Sequence, residues 1–423
     1  MKFVLATWGS RGDIEPTAAV GRELVRRGHE VSMAVPPDLI EFSKAAVPDT
    51  VGFGPNSRSI LDAHRDYWTC FFSTPWRLRE MAGARREISG PLFQGWQDMS
   101  ATLMSLADGA DLIFSGINFE DAAANVAEHL DIPLATLHYF PLRPNSRVLS
   151  FLPAPLSRAM VRAFWWMSWR GTKKVEDAQR RELGLPKARH SAPRRITDRG
   201  SLEIQAYDES CFPGLAAEWA QFDQQRPFVG TLTLELGTDT DDEVLSWIAA
   251  GTAPIFFGFG SIPVESPADT IAMIDSACAR LGTRALVGAA NTDFSNASHS
   301  ERVKVVGLMN YATVFPACRA VVHHGGSSTT PIAMRAGVPQ LILFWDLVHA
   351  IYGGAVKRLK VGTARRFSTV TEETLVSDLS AILAPEFVAR ARELATTITE
   401  PAKSAAAAAD RLEDFARTGR PAR

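Results

Sequence analysis

The sequence predicts an α/β fold made of two doubly wound parallel-sheet domains. Three observations carry this: the chain opens as strand, helix, strand; the same alternation restarts after Pro227; and 423 residues are too many for one ordinary core.

Residues 2–7 are a short apolar run, and Ile14, Ala18, Ala19, Leu24 and Val25 recur at helical spacing over 14–28. Arg26 and Arg27 fall in the last turn and Gly28 stops the helix. Val31–Val35 is the second strand. The alternation returns with a strand at Asp111–Ser115, a helix at 120–130 and a strand at Pro133–Leu137. From 141 to about 200 it breaks into Pro-rich segments, the aromatic and basic RAFWWMSWRGTKK (162–174) and the basic LPKARHSAPRRITDR (185–199), which read as an insertion or surface region.

Strands at Ala253–Phe259, 284–288, 303–306 and Ala320–Val322, with a helix at 267–281, make the second domain. RPFVGTLTLELGTDTDD (226–242) mixes Pro, Gly, Thr and acids and reads as the linker. The expected division is 1–225, linker 226–242, 243–400, and a helix-forming Ala-rich tail 401–423 that packs back on the N-terminal domain.

A net charge of -2 gives no nucleic-acid footprint. Cys70, Cys211, Cys278 and Cys318 are far apart, with no paired spacing for zinc or a redox dithiol. The opening apolar run is too short for a signal peptide and no run reaches the ~18 residues of a membrane span, so a cytoplasmic chain is expected.

The strongest chemical signal is VVHHGGSSTTPIAMRAGVP (321–339). A strand runs into His323 and His324, then Gly325, Gly326, Ser327, Ser328 and Thr329, with a helix behind them. Glycines let backbone approach an anion, and free N–H groups at a helix start point at it. There is no GK[ST] and no GxGxxG, so this is neither a P-loop nor a dinucleotide turn. A self-capped helix with two structural histidines is the simpler alternative. FFGFGSIP (256–263) ends another strand at the same sheet edge and offers Ser261.

In the first domain the equivalent strand end is WGSRGDIEP (8–16), with Ser10, Arg11, Gly12 and Asp13. Asp13, placed just ahead of the helix, either caps it or serves as a general base toward a second domain facing it across a cleft.

RGDIEP together with VVHHGGSSTT about 310 residues later resembles the inverting, nucleotide-sugar-dependent glycosyltransferases of family 1, with the GT-B fold. Within them the chain is most similar to the bacterial branch acting on glycopeptide, macrolide, sterol or lipid acceptors, mycobacterial glycolipid enzymes included, over nearly its whole length. The resemblance implies that Asp13 deprotonates the acceptor hydroxyl and that His324, Gly325, Gly326, Ser327, Ser328 and Thr329 bind the leaving diphosphate. Ser10, Gly12 and Ser261 stand near the donor phosphates, and Asn310 and Tyr311 in GLMNYATVF (307–315) at the nucleobase. It implies a UDP- or TDP-sugar donor, a hydrophobic acceptor and no metal cofactor.

Two departures stand out. Ser327–Ser328 replaces the usual Ala-Gly, and Val348–His349 occupies the positions of an Asp-Gln pair that holds sugar hydroxyls, with Asp346 two residues earlier. A 6-deoxyhexose donor, or a binding protein that has lost turnover, therefore stands beside the hexosyltransferase reading. A nucleotide-sugar epimerase and an NAD-dependent oxidoreductase fit less well, the latter for want of GxGxxG. Asp239–Thr240–Asp241 spells a metal-binding DxD but falls in the linker, as a solvated acidic turn would. Trp68, Phe71, Phe72 and Trp76 either line a greasy acceptor pocket or fill a core. Residues 158–174 suit either peripheral contact with anionic lipid or a helix packing its tryptophans inward.

Overall fold

A computed structural model describes residues 1–74, 76–149, 152–260, 264–290 and 292–419. The chain forms two compact units, one of Met1–Ile60, Arg86–Leu234 and Thr399–Arg423, the other of Leu61–Arg85 and Glu235–Ile398.

In chain order the elements are β1 (Lys2–Ala6), α1 (Arg11–Arg26), β2 (Glu30–Val35), α2 (Ile40–Lys44), β3 (Thr50–Gly52), α3 (Leu61–Ser73), α4 (Leu78–Leu106), β4 (Leu112–Gly116), α5 (Glu120–Leu130), β5 (Leu134–His138), α6 (Ala154–Glu182), α7 (Ala192–Asp198), β6 (Leu202–Gln205) and α8 (Leu215–Glu218). Then follow α9 (Asp241–Ala249), β7 (Ile255–Gly258), α10 (Pro267–Arg280), β8 (Ala285–Gly288), β9 (Val303–Val306), α11 (Tyr311–Val314), β10 (Ala320–His323), α12 (Thr329–Arg335), β11 (Gln340–Phe344), α13 (Leu347–Leu359), β12 (Gly362–Arg366), α14 (Glu372–Ile382), α15 (Pro385–Ala395) and α16 (Pro401–Thr418).

The first unit holds a six-stranded parallel sheet in the order β3-β2-β1-β4-β5-β6. Strands covered on both faces read as unbroken apolar runs, and Phe3, Val4, Leu5 and Ala6 of β1 are fully buried. α16 closes this unit through Arg27 of α1, whose guanidinium reaches Asp410 at 2.7 Å and Glu413 at 3.0 Å. The second unit repeats the pattern as β12-β11-β10-β7-β8-β9. Alternation along β7 splits its core: Ile255 and Phe257 join Val322 and Leu341 on one face, while Phe256 joins Leu286 and Val321 on the other.

Each sheet reverses its winding at one place, between β1 and β4 in the first and between β7 and β10 in the second. Loops at the carboxyl ends of those strands are where such sheets bind ligands.

Several expectations need correcting. α1 begins at Arg11, so Asp13 sits inside its first turn rather than ahead of it, with Ser10 as the cap. Residues 141–200, read as irregular, contain the 29-residue α6 and the shorter α7. Unbroken helical hydrogen bonding across the tryptophan-rich stretch outweighs the Pro-rich segments on either side of it. Residues 61–85 cluster with the second unit, where the sequence division placed them in the first. His64 of this segment approaches Asp346 of the second unit at 4.0 Å.

Candidate functional site

In the first unit the site is built around Asp13. Its Oδ2 accepts from the Ser10 N–H at 2.7 Å and from Ser10 Oγ at 2.9 Å. Its Oδ1 accepts from Asn118 Nδ2 at 3.2 Å and from the Tyr139 hydroxyl. Asn118 follows β4 and Tyr139 follows β5, so three adjacent strand ends converge on one carboxylate. Burial, then the Asp13 charge, pushes the Tyr139 phenol well above its ordinary range, so it stays a donor.

Gly9, at φ +145°, has no room for a side chain: a Cβ there would lie 2.4 Å from Asp13 Oδ2. Gly12 is different, because a Cβ would meet only Ser10 Oγ at 3.9 Å. Arg11 points away from this network and stacks 4.5 Å over the ring of Phe42. Sequence reasoning missed Asn118 and Tyr139. The signal was their position, each just after a strand beside or one removed from β1.

In the second unit the paired histidines have separate tasks. His323 is fully buried; its Nε2 lies 2.9 Å from Gln340 Oε1, and its Nδ1 accepts the Gly325 N–H at 3.2 Å. That pairing fixes the neutral tautomer with the proton on Nε2, and burial lowers its pKa to about 4. His323 therefore shapes the loop.

His324 lies between two glycines. A Cβ on Gly260 would come within 2.5 Å of its ring, and one on Gly326 within 2.6 Å. Its Nδ1 is shielded from solvent, with the Gly258 backbone beside the ring, and Ser328 Oγ is shielded without a hydrogen-bond partner among the described residues. Burial, followed by the nearby His349 and His323, holds the imidazole well below its usual pKa. Ser327, Ser328 and Thr329 are buried, and among the described residues the N–H groups of Gly326 through Thr329 have no intramolecular acceptor. Gly325 needs its positive φ of 94°, since a Cβ would press on the His349 carbonyl at 2.9 Å. Polar groups left unmatched like this in a folded loop make a cradle of the kind that suits an anion.

His349, in the first turn of α13, brings its ring centroid 4.9 Å from that of His324. Asp346 caps the helix by accepting the His349 N–H at 2.7 Å, and its Oδ1 stands 3.0 Å from His349 Nδ1. His64 of α3 places Nε2 4.0 Å from Asp346 Oδ2 and takes the Trp68 indole N–H at 3.2 Å. The His64–Asp346 approach joins α3 to the rest of the second unit, and the Trp68 bond, within α3, steadies the His64 ring. The two histidines hold the Asp346 carboxyl far below the ordinary carboxylate range, against the penalty of burial. An acid thus stands beside the cradle two residues before the expected position, with a histidine in the place of the expected glutamine.

Asn310 caps α11, its Oδ1 accepting from Ala312 N–H at 3.1 Å, and Tyr311 stacks on Phe315 at 4.8 Å between centroids. Asp241 is more than a solvated turn: its Oδ1 accepts the Asn310 N–H at 2.8 Å and so anchors the 307–311 loop. Ser261 and the Phe72 side chain lie outside what is described. Tyr67, Trp68 and Phe71 pack on one another along α3, whereas Trp76 is 73% exposed.

A family model described as the C-terminal domain of erythromycin biosynthesis protein CIII-like proteins matches residues 285–410, and the glycosyltransferase family 28 N-terminal domain matches residues 3–80. Over 423 residues the chain is 53% identical to an uncharacterized glycosyltransferase of Mycobacterium tuberculosis, covering 99% of this chain and 100% of the relative. It is 29% identical to glycosyltransferase GtfE of Amycolatopsis orientalis over 99% of this chain and 98% of that one. Among solved structures, the glycotransferase of kitacinnamycin superposes with a TM-score of 0.67 at 16% identity, covering 98% of both chains. SsfS6 of Streptomyces sp. SF2575, complexed with thymidine diphosphate, gives 0.60 at 18% identity over 97% of this chain and 99% of the other. At these identities the structural likeness speaks for the fold alone.

Proposed function

The chain belongs to the family 1 glycosyltransferases of GT-B fold, and from that premise we propose that it transfers a hexose or 6-deoxyhexose from a UDP- or TDP-sugar to the hydroxyl of a hydrophobic acceptor, with inversion. The second unit holds the donor. His324, the N–H groups of Gly326 to Thr329 and Ser328 Oγ receive the diphosphate, and they neutralise the charge that develops on it as the glycosidic bond breaks. Asp13 of the first unit takes the proton from the acceptor hydroxyl while its oxygen attacks the anomeric carbon. Ser10, Asn118 and Tyr139 hold that carboxylate in one orientation.

The observation that carries this reading is the His324 imidazole held between Gly260 and Gly326, beside the buried Ser328 Oγ and the N–H groups of Gly326 to Thr329 that find no acceptor among the described residues. The loop supplies its own positive potential, so donor binding is expected to survive EDTA. The Asp346–His349 pair supports a sugar contact of a different shape from the usual Asp-Gln. Asp13 uses both its oxygens within the protein, an observation that favours the second reading, a donor-binding protein without turnover.

Calorimetry of the protein with UDP-glucose, TDP-rhamnose and GDP-sugars in EDTA, beside Asp13→Asn, separates the two. Donor binding kept by the variant while slow donor hydrolysis disappears supports the transferase. Binding with no turnover in either protein supports the second reading, and a product of retained anomeric configuration overturns the mechanism.

A further inference from the structure

α6, in the first unit, carries side chains that this chemistry leaves unused. Its tryptophans divide. Trp165 donates its indole N–H to the Leu142 carbonyl at 2.6 Å and Trp169 to Glu176 Oε2 at 2.7 Å, while Ser157, Val161 and Gln179 are buried on the same inward side. The other side has no cover. Leu156, Met160, Phe164 and Met167, at i, i+4, i+8 and i+11, fall on one helical face and are 48%, 47%, 54% and 56% exposed. Trp166 beside them is 56% exposed. Apolar side chains scattered singly need no explanation, but five large ones in one contiguous stripe do.

The charge around this stripe is one-sided. Between Ala154 and Val175 there are Arg158, Arg162, Arg170, Lys173 and Lys174 and no acid. Arg158 is taken by Glu218 at 2.5 Å and Lys173 by Asp177. Arg162, Arg170 and Lys174 have no acidic partner among the described residues, and Arg170 stacks 5.7 Å over Trp166. A protein partner for such a face would need acids around an apolar groove. An anionic bilayer supplies both at once, acyl chains for the stripe and phosphate headgroups for the three free cations.

We propose that the outward face of α6 docks the protein on an anionic phospholipid surface, the helix lying in the headgroup plane. Docking requires no turnover and stands whether or not the transferase reading does.

Co-sedimentation of the full chain with phosphatidylcholine vesicles, with and without phosphatidylglycerol, tests it. Binding is expected to rise by about tenfold or more with phosphatidylglycerol and to fall as NaCl is raised. Phe164→Ser combined with Met167→Ser, and separately Arg162→Glu with Arg170→Glu, should each abolish most of it, with far-UV circular dichroism and melting unchanged because these side chains are exposed. Equal binding to both vesicle types, or binding indifferent to both variants, overturns the proposal. So does a dimer in light scattering that the Phe164/Met167 variant dissociates while vesicle binding is absent.

Discussion

Arg143 grips Glu120 with two parallel bonds, Nη1 to Oε1 and Nη2 to Oε2, each 2.8 Å, and both side chains are buried. Glu120 opens α5 just after Asn118, and Arg143 lies just beyond Tyr139. The pair therefore joins the two loops that donate to Asp13. Arg143 Nε also bonds Glu203, and Arg226 reaches the same carboxylate at 3.2 Å, so the clamp is one part of a buried ionic network.

Removing the clamp should cost stability before it costs chemistry. Arg143→Ala leaves buried Glu120 with only His138, 3.4 Å from its Oε2, as an ionic partner and Glu203 with only Arg226, an expected loss of about 3 kcal/mol in denaturant unfolding. Arg143→Lys keeps a charge but not the fork, and is expected to fold while lowering kcat more than it raises KM for the donor. Unchanged kcat in a folded Arg143→Lys protein would show that the clamp does not position Asp13.

The glycines beside His324 give a sharper contrast. Gly260→Ala and Gly326→Ala each drive a methyl into the imidazole, at 2.5 Å and 2.6 Å by the present backbone. Displacing one charge-assisted donor from the diphosphate should weaken nucleoside diphosphate binding by about 10- to 100-fold. Gly12→Ala meets nothing nearer than Ser10 Oγ at 3.9 Å and so reads whether this loop touches the nucleotide, whereas Gly9→Ala should disturb the Asp13 seat and spare nucleotide binding. Calorimetric titration with UDP and TDP reads all four.

Much of this was legible in the sequence for a plain reason. Parallel strands buried on both faces leave apolar runs that nothing else mimics, and the strands at Phe3–Ala6, Leu112–Ser115 and Ile255–Phe257 stand where those runs do. The glycine and hydroxyl loop after His324 was equally visible, since backbone exposure requires those residue types. What stayed hidden depends on distance through the fold. No local pattern says that Tyr139 meets Asp13, 126 positions away, or that His64 faces Asp346. His323 and His324 look alike in sequence and diverge only because alternate residues at a strand end point to opposite sides.

Asp121 makes one pH dependence testable. Burial, with the Glu120 and Glu176 charges added, raises its carboxyl from the ordinary 3.8 to about 7. The folded chain therefore holds a proton that the unfolded chain releases, so the stabilisation is complete below pH ~4 and is lost as pH rises through about 7. Asp121→Asn should match the parent at pH ~4 and exceed it by about 1–2 kcal/mol near pH 8, allowing for partial exposure of the group. A parent and variant whose difference does not change with pH would contradict the raised carboxyl.

His323 predicts the opposite slope. Its folded pKa, lowered to about 4 by burial, lies below the unfolded value of 6.5. The unfolded chain therefore takes up the proton first as pH falls. The contribution is fully present above pH ~6.5 and is lost on acidification toward 4, an effect of up to about 3 kcal/mol. Protonating Nδ1 also removes the acceptor for the Gly325 N–H, so the loop proposed to hold the diphosphate should loosen with it. His323→Gln keeps an amide donor toward Gln340 and cannot titrate. It is expected to be less stable than the parent at pH ~7, through lost packing, yet to show a shallower decline between pH ~6.5 and ~4. Urea unfolding at stepped pH measures both slopes, and a variant that declines as steeply as the parent would move the acid sensitivity to His138 and His324, whose pKa values burial also lowers.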